Sequence, residues 1–238
     1  MRVSTAVAVI VTFTVALGLT GCTGETTWTD SSANAALLST KMDASLAKRG
    51  LTVDLGANDQ NGNPVKVKST TVAENIKQSS GNHFAPASCV DATGIAIAPL
   101  KDLKSSDLLL ISRQYKLTTG AASGGDMNYY IRVFNSADLA STFMGHVLQA
   151  RKDCGSFAVD TASGEHLAIS ETVTSESGDA GFSDRTSVSG SAAGDFSNVS
   201  SWIRSGNMVV AAASSGNGDT AAPGLKAMVA AITAAVKR

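Results

Sequence analysis

Residues 128–155 read NYYIRVFNSADLASTFMGHVLQARKDCG, and a change of period inside this stretch decides the fold. Asn128 to Phe134 is rich in aromatic and β-branched residues, the composition of a strand. The pattern breaks at Asn135-Ser136, either of which is a good N-cap, and Asp138 complements the positive end of a helix in its first turn. Beyond it Leu139, Phe143, Val147, Ala150 and Cys154 fall within roughly 80° on a wheel turning about 100° per residue. Gly155 supplies the stop. A strand that feeds a one-faced helix predicts a sheet with that helix packed on it. Cys154 is then expected on the buried face, at the helix's last turn.

Toward the amino terminus, Asp107–Leu117 reads as a partner strand, joined through the Gly/Ser-rich Thr118–Met127 in a long hairpin. Asn34–Arg49 has the loose amphipathic pattern of a helix, and Gly50 stops it. Leu51–Leu55 and Pro64–Thr71 are short strand candidates around the connector Gly56–Asn63. That connector faintly suggests a calcium loop, but it lacks the alternating acidic ligands and the terminal glutamate, so it reads as a turn. Lys77–Pro86 reads as a polar loop carrying His83. Toward the carboxyl terminus, strands are expected at His166–Val173, Phe182–Ser189, Asn198–Arg204 and Met208–Ala213, with Ser205-Gly206-Asn207 turning the last pair. A final helix starts near Thr220 with Pro223 in its first turn. Its apolar stripe is Leu225, Met228, Val229, Ile232, Ala235 and Val236, with Lys237 and Arg238 at its negative end. The order predicts an α+β fold, an antiparallel β-sheet backed by helices in a single domain over 34–238.

The first 21 residues read as a signal peptide. Met1-Arg2 is a minimal positive region, and Ala6–Leu19 is an apolar run of about 14 residues, too short to span a bilayer. It ends in Leu19-Thr20-Gly21-Cys22, which matches a bacterial lipobox. Cys22 is then the lipidation site and the first mature residue, and residues 22–33 form a lipidated, polar tether. Each buried methylene contributes roughly 0.8 kcal/mol, so two or more acyl chains anchor stably. The protein is expected at the cell membrane, lipid-anchored on the extracytoplasmic face.

The mature chain of about 217 residues suits one sizeable core. Nineteen Lys and Arg against 20 Asp and Glu give a net charge of -1, with no basic stripe, which argues against nucleic-acid binding. Only 16% of residues are charged and 5% aromatic, a soft composition that still holds 43% hydrophobic residues. With Cys22 lipidated, Cys89 and Cys154 remain of three cysteines, and in an exported chain they are expected to pair. Closing that loop contributes on the order of 4 kcal/mol in the chain-entropy model. The two are too far apart in sequence for a redox motif.

Chemistry is sparse. His83, His146 and His166 are the only histidines and none is in a ligand-spaced pair, so no metal and no cofactor are expected. His146 lies at the edge of the helix's apolar face and reads as a half-buried structural residue. There is no Gly-x-Ser-x-Gly elbow and no phosphate-binding loop with its lysine. Ser214–Thr220 could cradle an anion on backbone amides, but without a lysine it reads as a loop and cap. The acidic residues are too scattered for a paired-carboxylate hydrolase.

Three stretches together resemble the PknH-like extracellular sensor domain, a family of actinobacterial lipoproteins and of receptor Ser/Thr kinase ectodomains. They are Ala87-Ser88-Cys89, the passage Tyr129–Asp138 leading to Arg151-Lys152-Asp153-Cys154, and Ser201–Val210 before the last helix. The resemblance covers roughly residues 85–238. It implies an α+β fold with a ligand-binding cleft, and two disulfides, of which Cys89–Cys154 matches the first. The positions of the second, near Ser200 or Ser201 and near Ser214, hold no cysteine. The function it implies is that of a non-catalytic, lipid-anchored binding or sensor module for a small-molecule or cell-wall ligand. The competing readings are an envelope hydrolase using His146 or His166, and a lipid-carrier lipoprotein.

Overall fold

Among the described residues, ten strands pair into one antiparallel sheet whose two halves are covered differently. The computed structural model describes residues 25–68, 81–93, 103–104, 107–117, 124–177, 181–216 and 221–236. In chain order the elements are α1 (Asp30–Leu37), α2 (Thr40–Ala47), β1 (Leu51–Val53), β2 (Val65–Lys68) and β3 (His83–Ala85). A 3-10 turn (Ala87–Thr93), β4 (Leu108–Leu117), β5 (Gly124–Phe134), α3 (Ala137–Asp153) and β6 (Ser156–Asp160) come next. The chain closes with β7 (His166–Glu176), β8 (Gly181–Ser189), β9 (Phe196–Ser205), β10 (Met208–Gly216) and α4 (Ala221–Val236). The strand order is β1-β4-β5-β10-β9-β8-β7-β6-β3, with β2 also pairing β4. This is the expected α+β architecture, with one disulfide between Cys89 and Cys154.

Strand alternation sorts the side chains between two layers. Ile111, Tyr115, Met127, Tyr129, Ile131, Val210 and Ala212 meet α1, α2 and α4 through Leu37, Met42, Leu46, Leu225, Met228 and Ile232. On the opposite face Phe134, Phe182, Trp202, Val209 and Ala211 meet Ala140, Phe143, Met144 and Val147 of α3. A third cluster joins Cys89, Ala92, Cys154, Phe157 and Val159 where the 3-10 turn is stapled to the end of α3.

Several boundaries differ from expectation. The segment read as a tether through residue 33 is already folded by Trp28, which is 4% exposed. Asn207 holds it: the Trp28 amide donates to Asn207 Oδ1 at 2.6 Å, and Asn207 Nδ2 donates to the carbonyls of Trp28 and Phe134. The turn residue Gly206 has φ +56°, and a Cβ there would lie 1.7 Å from the Thr26 carbonyl, so this close approach needs glycine. The single helix expected over Asn34–Arg49 is two. Thr29 caps α1 in a capping box with Ser32, and the chain breaks at Leu38-Ser39 before α2.

Within the polar loop read over Lys77–Pro86, His83–Ala85 form an edge strand on β6, and β6 itself has no counterpart among the expected strands. The hairpin loop read over Thr118–Met127 is shorter, because β5 begins at Gly124. Residues 118–123, 69–71, 77–80 and 217–220, and Lys237 and Arg238, lie outside the described residues, as do Cys22 and the signal peptide.

Candidate functional site

Among the described residues, alternation leaves one face of β6 to β8 without a helix, while the same face of β9 meets α4 through Val199 and Ile203. The odd residues of β7 turn toward α3, since Ile169 packs beside Phe157 and Glu171 bonds Arg151. The even residues therefore turn away, where Ser156, Ala168, Ser170, Ser187 and Ser189 are all exposed. These residues, with Asp195, Ser197 and the apolar Ile169, Val188 and Phe196, line a shallow groove of about 420 Å³. Register places Ser156 opposite Ser170, Ser170 opposite Ser187, and Ser187 opposite Ser197. Four hydroxyls thus cross four strands in one row, at the strand spacing of about 4.8 Å.

Each hydroxyl both donates and accepts, so the row offers hydrogen bonds without net charge. Asp195 Oδ1 accepts from the Gly190 amide at 3.1 Å, and Arg185, two residues along β8 from Ser187, is exposed on the same face. The row itself presents hydroxyls, the groups that a polyhydroxylated ligand would bond.

Beneath α3 lies a second polar constellation, and this one is buried. Arg151 Nη1 reaches Asp184 Oδ1 at 2.7 Å and Glu171 Oε2 at 3.1 Å. Ser200 donates to Asp184 Oδ1 at 2.6 Å, Trp202 Nε1 donates to Ser200, and Thr186 donates to Glu171 Oε1 at 3.2 Å. Trp202 stacks on Phe182 and carries the guanidinium groups of both Arg151 and Arg132 over its ring at 5.5 Å. Burial pushes the Glu171 carboxyl up to about 7, against the pull of Arg151, and pushes Asp184 up as well. The same desolvation lowers Arg132 to about 10. Arg151 Nε, Arg132 Nη1 and Asp184 Oδ2 are buried without a hydrogen-bond partner.

Among the sites read from the sequence, Cys89 and Cys154 are bonded. His146 Nε2 lies 2.8 Å from Asp91 Oδ2, so this histidine ties α3 to the turn that carries Cys89. His83 is on the exposed edge strand, and no group of three or more His, Cys, Asp or Glu side chains among the described residues is placed for a metal. The connector at 56–63 is a turn: Asp59 accepts from the amides of Asn61 and Asn63 and from the Asn63 side chain, and these bonds hold its carboxyl below the usual range.

Of the positions flanking the absent second bridge, Ser200 is built into the buried network, and Ser201 pairs its hydroxyl with Ser183 at 2.8 Å. The buried charges do carry a signal in the sequence, though a faint one. Arg151 lies about 40° past Val147 on the wheel, between the buried Ala140 and Met144. Glu171 and Asp184 occupy inward positions of strands otherwise filled by Ile169, Val173 and Phe182.

No family model matches the chain, and no curated protein matches it significantly. Among solved structures, the extracellular domain of PknH from Mycobacterium tuberculosis superposes with a TM-score of 0.58 and 13% identity, over 90% of this chain and 100% of that one. The Rv0999 ortholog from Mycobacterium smegmatis, an uncharacterized protein, gives a TM-score of 0.43 and 11% identity, over 83% of this chain and 96% of that one. The chain has the fold of the PknH extracellular domain.

Proposed function

We propose that this chain is a lipid-anchored, extracytoplasmic sensor or binding module, non-catalytic, whose open sheet face receives a neutral polyhydroxylated molecule of the cell envelope or its surroundings. The hydroxyl row Ser156–Ser170–Ser187–Ser197 in the groove carries this reading. The shared fold supports it, because a kinase's extracellular domain is a module that faces outward. No helix among the described residues is long and apolar enough to cross a membrane, which suits attachment through lipid on Cys22.

Two experiments test the reading. Native mass spectrometry of the protein released from its own membranes is expected to show an added mass in the wild type, lost in Ser187→Trp, which fills the groove. A bare polypeptide mass, or an added mass retained in the variant, overturns the groove assignment. In cell fractionation Cys22→Ser is expected to leave the membrane fraction, and retention there overturns the anchor.

A further inference from the structure

The cluster under α3 has an unusual stoichiometry. One guanidinium nitrogen, Nη1 of Arg151, serves two carboxylates whose side chains are 4% and 0% exposed. Buried carboxylates that share one site cannot both ionise freely, because each charge raises the energy of the other in a medium with little water. The groups around them do not make up the difference. α3 contributes Arg151, β7 contributes Glu171, and β8 contributes Asp184 and Thr186. β9 contributes Ser200 and Trp202, which are neutral. Arg132 of β5 faces the cluster across the Trp202 ring, and its buried Nη1 has no hydrogen-bond partner. Lys152 is paired with Glu176 at the exposed rim, and His146 with Asp91 toward the 3-10 turn. Asp184 Oδ2 is also buried and unpartnered, so the pair offers room for a proton without displacing a hydrogen bond.

We propose that Glu171 and Asp184 act together as one proton-binding site beneath α3, and that its loading sets how firmly this helix is seated on the sheet. With the proton bound, Arg151, the cation bonded to both carboxyls, faces one negative charge; Arg132 stands off across the Trp202 ring. With the proton lost, Arg151 faces two negative charges buried between helix and sheet. The upward displacement of Glu171 to about 7 fits this geometry. A carboxyl raised in the folded state gives its full stability below the unfolded value near 4.5 and loses it as pH rises through the folded value. The domain therefore loosens from mildly acid to mildly alkaline pH, on the α3 side first.

Denaturant unfolding of the full chain at pH 5 and pH 8, wild type beside Glu171→Gln, tests this. Relative to the variant, the wild-type unfolding constant is expected to rise on the order of a hundredfold over that interval. Equal slopes in the two proteins overturn the proposal. Because Glu171→Gln could unfold outright, carboxyl-carbon NMR titration of the wild type gives a second reading. One group of the pair titrating near neutrality supports the site, and both ionised at pH 5 overturns it. Amide exchange, corrected for its intrinsic pH dependence, reports on the helix. Loss of protection in α3 with α4 unchanged is expected, and a uniform change in both overturns the role of α3.

Discussion

Two buried arginines stand on opposite faces of the same sheet, and their surroundings differ in one respect. Arg113, on the face covered by α1, α2 and α4, is 3% exposed and has a partner for each of its nitrogens. Nε donates to the Tyr115 hydroxyl at 2.8 Å, Nη1 to the Gly62 carbonyl at 2.6 Å, and Nη2 to Asp43 at 3.0 Å. Tyr115 in turn donates to the other oxygen of Asp43 at 2.6 Å. One cation meets one anion, and the network ties α2, β4 and the connector at 56–63 together. Arg151, under α3, meets two anions and leaves its Nε unmatched. A matched network holds elements together at any ordinary pH, whereas an unmatched one responds to protons.

Removing each network's partner breaks the comparison most directly. Arg151→Met deletes the guanidinium bonded to both Glu171 and Asp184, and is expected to lower stability by about 3–5 kcal/mol at pH 8. At pH 5 the two acids can take up protons and the loss should shrink markedly. Asp43→Ala is expected to lower stability by about 2 kcal/mol, because it leaves hydrogen bonds of Arg113 and Tyr115 unmade. That loss should be the same at both pH values, since burial keeps the Tyr115 hydroxyl protonated well above its ordinary range. Denaturant unfolding of the two variants at pH 5 and 8 checks the pair. A pH-dependent loss in Asp43→Ala, or a constant one in Arg151→Met, removes the distinction between the faces.

Local pattern made much of the fold legible. The N-cap at Ser136 and the turn at 205–207 are set by neighbours within a few residues, and each is where the pattern placed it, whereas the buried face of α3 is turned from the expected stripe toward Ala140, Met144 and Arg151. The disulfide is legible from counting the two cysteines that remain once Cys22 is set aside. What escaped was set at long range. Trp28 is folded only because Asn207, 179 residues away, accepts from its amide. β3 and β6 are three and five residues long, too short for a period to show; β3 is a strand because β6 lies beside it, and β6 because β7 pairs its whole length. The groove depends on register across four strands, so four isolated serines carried no sign of a row. The buried cluster failed to appear for the same reason. Arg151 and Glu171 are 20 residues apart, and each alone reads as an ordinary charge.

The smallest expected effect sharpens the comparison furthest. Thr186 donates to Glu171 Oε1 at 3.2 Å, a bond that favours the ionised carboxylate and works against its burial. Thr186→Val keeps the β-branched shape in β8 and removes that donor alone. The loss of stability should be about 1 kcal/mol or less. Its direction with pH is the informative part. Without the hydroxyl the folded-state value of Glu171 moves further up, so the pair holds its proton to higher pH and the variant's deficit grows as pH rises from 5 to 8. Carboxyl-carbon titration should show the midpoint displaced upward by this one deletion. A midpoint that stays put, or moves down, would mean that the proton sits on Asp184 alone, away from the Thr186 bond, and that Glu171 is only its neighbour.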